Sequence, residues 1–269
     1  MSSEPIDNQD SILIAAERRR RILESVRSRR AVRVTALSRL LGCSPATLRR
    51  DLQYLDEEGL VRRTHGGAVD LAKDLDMERP PNFKATLQMA EKRAVGAAAA
   101  RLVSDGDTIA LSGGTTTLEV ARHLRGRENL RVLTNSVAIA TELLGNPGIE
   151  VTLTGGTLRS SLELCGPLAE QSLRNIYVDT AFIGVDGFTV EHGLTTYNQI
   201  EAQTDRLMIE HARRTVVVAD HTKIGQVTMA LIAPFRAVSM LVTDSLPPHA
   251  RNSIEDSGIE VVIATRLTG

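Results

Sequence analysis

Residues 112–117 read Ser-Gly-Gly-Thr-Thr-Thr, a spacing suited to capturing an oxyanion. Gly113 and Gly114 let backbone amides come close to the oxygens, and Thr115 and Thr116 offer hydroxyl donors beside that of Ser112. A helix following near Leu118 would add its positive N-terminus. A phosphate group meets these conditions best. Alone, the segment equally suits a tight strand-to-helix turn. Similar polar turns recur, however, at Thr134-Asn135-Ser136, Thr154-Gly155-Gly156-Thr157, Gly184-Val185-Asp186-Gly187 and Asp220-His221-Thr222-Lys223, and Lys223 can balance a dianion. The dinucleotide fingerprint and the P-loop pattern are both missing, which argues against NAD and ATP. No cofactor is expected.

A second chemistry lies near the N-terminus. Between Glu17 and Val69 thirteen arginines stand against six acids, a surplus of seven, although the whole chain has a net charge of −1. A basic head on an acidic body is the asymmetry of a protein whose first part meets a polyanion. Ser44, Pro45, Ala46, Thr47, Arg49 and Arg50 would occupy the first turns of a helix, and Arg62, Arg63 and His65 would sit on a hairpin after it. An isolated basic run is usually only a solvated face. The combination of capped helix, turn, second helix and basic hairpin favours DNA, and Arg can read guanine edges or hold phosphates.

Other chemistries fit less well. Asp186, Glu201 and Lys223 can be imagined as an acid/base set for isomerising a sugar phosphate, but ligand positioning and ordinary ion pairing suit them better. The six histidines show no metal-ligand spacing, and there is no Gly-x-Ser-x-Gly nucleophile pattern. Cys43 and Cys165 are too few for a disulfide framework, which points to a reducing cytoplasm. The acidic start to Asp10 lacks the marks of a secretory signal, and no apolar run is long enough for a bilayer.

These residues need elements to position them. Periodicity predicts a helix over Glu17–Arg29, a second over Thr35–Leu41 capped by Thr35 with Leu37, Leu40 and Leu41 inward, and a break at Gly42-Cys43. Ser44 as N-cap and Pro45 at the first position predict a third helix to about Glu58, ending at Gly59, with Leu48, Leu52 and Leu55 buried. Leu60–Thr64 and Ala68-Val69, joined by His65-Gly66-Gly67, predict a hairpin or wing. The expected division is a winged helix-turn-helix over 17–70, a linker over 71–84 and an α/β domain over 85–269. The last begins with a helix over Ala85–Val103. Seven β-branched runs alternate with helical stretches after it: Thr108–Leu111, Arg131–Thr134, Glu150–Leu153, Asp179–Gly184, Thr215–Ala219, Met240–Thr243 and Glu260–Ile263. That order predicts a mainly parallel sheet, with polar loops gathered at the strands' carboxyl ends.

Several strings are specific enough to carry a resemblance. Glu17-Arg18-Arg19, Val34-Thr35-Ala36-Leu37, Ser44-Pro45-Ala46-Thr47-Leu48-Arg49-Arg50-Asp51-Leu52 and Gly59-Leu60-Val61-Arg62-Arg63-Thr64-His65-Gly66-Gly67-Ala68 resemble the DeoR family of bacterial regulators of sugar metabolism, over nearly the whole chain after Glu17. The resemblance implies a sensor domain like the sugar-phosphate isomerase fold, with phosphorylated sugars as effectors. It places the phosphate loop on Gly114, Thr115 and Thr116, a second loop on Thr134, Asn135 and Ser136, and a third on Gly155 and Gly156. Asp186, Gly187 and Lys223 match the remaining polar loops. Where the family commonly has Asp-Ser-Gly, this chain has Ser112-Gly113-Gly114, which points to a different sugar contact.

The resemblance implies a repressor of carbohydrate genes, released from its double-stranded operator by a phosphorylated sugar. A small single head offers little surface, so a homo-oligomer of at least two chains on repeated half-sites is expected. The alternatives are a sugar-phosphate isomerase with an accessory head, and an architectural DNA-binding protein whose second domain only dimerises.

Overall fold

In the computed structural model the residues described are 8–29, 31–57, 60–69 and 81–265. The chain divides near residue 80 into two compact units.

The first unit holds α1 (Asn8–Arg29), β1 (Ala31–Arg33), α2 (Val34–Leu41), α3 (Pro45–Glu57), β2 (Arg62–Thr64) and β3 (Gly67–Val69). Its core is the inward stripe of each helix: Ile22, Leu23 and Val26 from α1, Leu37 from α2, and Leu48, Leu52 and Leu55 from α3. Gly42 ends α2 in a left-handed conformation, and Ser44 caps α3 as the Thr47 amide donates to its hydroxyl at 3.2 Å. Several details differ from the sequence expectation, among them the start of α1, at Asn8 rather than Glu17. Thr35 lies inside α2, whose cap position is Arg33 without a side-chain hydrogen bond. Leu40 is 54% exposed, because α2 is short and only one side of it meets α1 and α3. The wing is also three-stranded, in the order β1-β3-β2. The ends expected at Glu58 and Gly59 lie outside the described residues.

The second unit opens with α4 (Pro81–Thr86), so residues 81–84 of the expected linker are helical, while 71–80 lie outside the described residues. Gln88, at φ +50°, separates α4 from α5 (Met89–Ala100), and splits the single helix expected there. Then follow β4 (Thr108–Leu111), α6 (Thr115–Arg122), β5 (Leu130–Thr134), α7 (Val137–Leu143), β6 (Ile149–Leu153), β7 (Thr157–Leu158), β8 (Leu164–Cys165), α8 (Pro167–Leu173) and β9 (Val178–Gly184). The remainder is β10 (Gly187–Thr189), β11 (Gly193–Thr196), α9 (Gln199–Glu210), β12 (Ala212–Val218), β13 (Ala230–Ala233), β14 (Met240–Thr243), α10 (Pro248–Asp256) and β15 (Glu260–Ile263).

Seven of these strands, those expected, form one sheet in the order β15-β14-β12-β9-β4-β5-β6. Each neighbouring pair is parallel. Along β9 the side chains alternate between its two faces, Ala181 and Ile183 in one apolar cluster and Phe182 in the other. Helices α5, α6 and α7 supply the Phe182 side, and α9 and α10 the other. With both faces covered, the inner strands carry apolar runs such as 109–111, 181–183, 216–218 and 240–242, whereas the edge strand β6 alternates and leaves Glu150, Thr152 and Leu153 exposed. The chain starts at β4, winds outward to β6, then returns to the opposite flank of β4 and winds outward through β9, β12, β14 and β15. The topological switch point therefore lies between β4 and β9. A small antiparallel sheet, β10-β11-β13, and the β7-β8 hairpin complete the unit.

Candidate DNA interface and anion site

In the first unit the exposed side of α3 begins at its N-terminus. Ser44, Pro45, Ala46, Arg49 and Arg50 are exposed and Thr47 is half-buried, while Leu48 and Asp51 face inward. Among the described residues no ion pair holds Arg49 or Arg50. Asp51, one of the acids beside them in sequence, is buried and ligated by Arg18 at 2.5 Å and Arg19 at 3.0 Å. Arg19 also lies 3.7 Å from the centre of the Tyr54 ring. The one acid within the first two turns of α3 is thereby neutralised from behind, leaving those turns basic toward solvent. Arg62, Arg63 and His65 are exposed on the wing, and Asp56 accepts from the Arg63 amide at 2.9 Å, tying wing to helix. A capped helix with an open basic first half can enter a major groove, and the wing can reach the flanking backbone.

In the second unit the switch point brings the loop after β4 against the end of β9. The Gly184 amide donates to the Ser112 hydroxyl at 3.0 Å. A Cβ on Gly113 would fall 2.1 Å from the Glu163 side chain, so any larger residue there would displace Glu163 from its bond with Asn135. Gly114, at φ +140°, turns the chain into α6. It is exposed, Thr115 is half-buried and Thr116 is buried, so the open end of α6 is formed by Gly114 and Thr115.

Most other predicted hydroxyls are already committed within the fold. Ser112 holds Gly184, Thr134 donates to the Leu111 carbonyl at 2.7 Å, and Ser136 caps α7. The Asn135 carboxamide accepts from the Gly113 amide at 3.0 Å and donates to Glu163 at 3.3 Å. These residues shape the loop from behind. Gly155 and Gly156 pack beside α8 and β8, with Leu168 and Cys165 as neighbours. Gly187 pairs with Thr195 in the small sheet.

Asp186 sits two residues past β9 at the centre of a basic cluster. Lys84 from α4 lies 3.2 Å and Lys223 3.3 Å from its carboxylate, and Thr196 donates to it at 3.1 Å. Burial pushes the Asp186 carboxyl up, but the two lysine charges and the hydrogen bonds from Lys84 and Thr196 outweigh that and hold it below the usual carboxylate range. Lys92 from α5 is buried and donates to the Lys84 carbonyl. Burial lowers its ammonium to about 8, in a field that also contains Asp220, Lys223, Lys84 and Asp186. Three lysines thus share two carboxylates. Lys84 and Lys92 carried no sequence signal, since a lysine in a helix ordinarily reads as solvated.

A group of acids stands behind the cluster. Glu201, weighed above as a catalytic candidate, is held by Arg159 at 2.9 Å and Ser161 at 2.7 Å. Asp205 is buried, its Oδ1 has no hydrogen-bond partner among the described residues, and burial followed by Glu163, Glu201 and Asp186 pushes its carboxyl well above the usual range.

A winged helix-turn-helix with an open basic helix, in one chain with a parallel α/β unit, defines a DNA-binding regulator with a second, sensory part. Residues 18–73 match the DeoR-like helix-turn-helix domain, and residues 87–245 the DeoR C terminal sensor domain. The HTH-type transcriptional regulator GlpR of Haloferax volcanii is 38% identical over 93% of this chain and 98% of that protein. The HTH-type transcriptional repressor CsqR of Escherichia coli is 35% identical over 90% of this chain and 93% of that protein. Ribose 5-phosphate isomerase A of Methanocaldococcus jannaschii, a solved structure, aligns over 49% of this chain and 53% of its own at 21% identity, with a TM-score of 0.38. The chain belongs to the DeoR family of DNA-binding transcriptional regulators and is not an enzyme. No helix among the described residues is long and apolar enough to cross a membrane.

Proposed function

We propose that the protein represses carbohydrate genes by holding a double-stranded operator as a homo-oligomer, and that a phosphorylated sugar bound by the second unit weakens that hold. The observation that carries the effector is the meeting of two anion-attracting features at the β4/β9 switch point, where open α/β sheets bind their ligands. One is the open N-terminus of α6 at Gly114 and Thr115, beside the Gly184 end of β9. The other is the Lys84, Lys92 and Lys223 cluster just beyond it. Together they suit a dianion better than a neutral sugar, and the carboxylates nearby suit the hydroxyls of its sugar portion. Ser112 contributes by shaping the loop, in place of the acid common in the family.

Thermal melting against a panel of pentose and hexose phosphates, each beside its unphosphorylated sugar, tests this reading. A ligand specific to the folded state raises the melting temperature by mass action. The phosphorylated member alone should do so, and should weaken operator binding in the same concentration range. In Thr115→Glu the added carboxylate repels the phosphate yet suits a helix N-terminus, so melting of the free protein should hold while the ligand shift disappears. Equal shifts in wild type and variant would remove this loop from the effector site.

A further inference from the structure

Lys84 belongs to α4, the first described element after the stretch that leads from the DNA-binding head, and two bonds tie it to the charge cluster. Its ammonium pairs with Asp186 at 3.2 Å and faces the Tyr197 ring at 5.5 Å. Its carbonyl accepts from the Leu87 amide at 3.3 Å and from the buried Lys92 ammonium. α4 spans six residues, too few to be stable by helix propagation alone, so its place depends on such tertiary ties. Lys223 reaches the same Asp186 carboxylate.

We propose that Lys84 is a latch through which an anion in the sensor is felt by the segment leading to the DNA-binding head. Resting on the phosphate reading above, the inference adds its route of regulation. With the site empty, Asp186 is the counter-ion of both Lys84 and Lys223. A phosphate dianion arriving at the open end of α6 competes with Asp186 for both ammonium groups. Lys223 stays on its own loop and can follow the phosphate without moving a helix. Lys84 follows it only if α4 shifts or opens, because α4 carries both the side chain and the carbonyl that Lys92 holds. The ligand's differential affinity for the two arrangements then becomes a force on the chain N-terminal to Pro81.

Amide hydrogen exchange on the full-length protein, with inorganic phosphate as probe against chloride at equal ionic strength, separates the possibilities, since exchange reports local opening. In wild type, phosphate should slow exchange at 114–118 and speed it several-fold at 84–87. In Lys84→Gln, exchange at 84–87 should already be fast and no longer respond, while 114–118 is still protected once phosphate is raised enough to offset the affinity lost with that ammonium. Lys84→Arg keeps the charge and should restore the response, which a merely packing role would not require. Protection at 114–118 with unchanged exchange at 84–87 in wild type would overturn the latch and leave the phosphate site standing. No protection at 114–118 would overturn the phosphate site and the latch with it. Exchange at 84–87 in Lys84→Gln equal to wild type without phosphate would overturn the latch whatever the ligand does.

Discussion

Arg18 and Asp51 stand far apart in the chain, yet the Arg18 Nε lies 2.5 Å from the Asp51 carboxylate, of which only 3% is exposed. Arg19 takes the other oxygen at 3.0 Å. The recognition-like helix α3 is thereby bolted to α1 at the turn that follows Arg49 and Arg50. Asp51→Asn removes charge-assisted bonds worth about 2 kcal/mol in sum, softened because both arginines retain some access to water. The first unit should unfold at lower denaturant while the second is unchanged, and operator affinity should fall with it. Full affinity in a variant so destabilised would show that the setting of α3 does not matter to DNA.

Arg49→Ala and Arg50→Ala should behave in the opposite way. Both side chains are exposed and neither is held by an ion pair among the described residues, so melting should not change while DNA binding weakens. Loss of a base contact costs about 1–3 kcal/mol and relaxes sequence preference at one position, whereas loss of a phosphate contact weakens every sequence alike and lowers the salt dependence by about one ion. Mobility shifts on operator and scrambled DNA across a salt series distinguish the two. Wild-type binding by both variants would move the interface off α3.

The parallel sheet was legible because its inner strands carry short apolar, β-branched runs closed by glycine or small polar residues, as burial on both faces demands, and the edge strands β6 and β15 keep β-branched residues beside an exposed glutamate. The small sheet was not. β10 and β11 are Gly-Phe-Thr and Gly-Leu-Thr-Thr, too short and too polar to show a period, and β1 is only Ala-Val-Arg. Asp186 and Lys223 could be read from their loops. Lys84 and Lys92 could not, because only tertiary packing turns one of these helical lysines onto Asp186 and the other onto the Lys84 carbonyl. The hydroxyls of Ser112, Thr134 and Ser136, expected from the sequence to face a ligand, are taken instead by hydrogen bonds to nearby backbone. Asp51 read as one more acid on α3 until α1 was packed against it.

Asp205 gives a pH dependence of known sign. Its carboxyl is raised by burial and by neighbouring acids, so above the unfolded value of about 3.9 the native chain keeps a proton that the unfolded chain loses. Stability toward unfolding therefore falls as pH rises, by about 1.4 kcal/mol per unit, until the native group ionises. Asp205→Asn should remove that slope and leave the second unit more stable than wild type at pH 7. Urea denaturation at steps from pH 4 to pH 7 measures it. Parallel curves for the two proteins would mean that Asp205 is ionised in the native state.

For the proposed phosphate site, the charge on Lys92 would set the pH range in which the ligand is held. Its ammonium is lowered to about 8 by burial, so the empty site is mostly protonated at pH 7 and loses that charge above pH 8. A bound dianion favours the charged form and raises the value, so between the two values binding takes up a proton. Affinity must then fall with rising pH, by up to about tenfold per unit. Below about pH 6 a phosphate monoester gives up its second charge, so affinity should fall on that side as well, leaving an optimum between the two limits. Calorimetry with a simple phosphate monoester at pH 6, 7, 8 and 9, in buffers of different ionisation heat, reads both the affinity and the proton uptake. Lys92→Met should bind more weakly at pH 7 and lose the decline above pH 8. A wild-type profile that stays flat to pH 9, or a decline that survives in Lys92→Met, would place the phosphate away from Lys92.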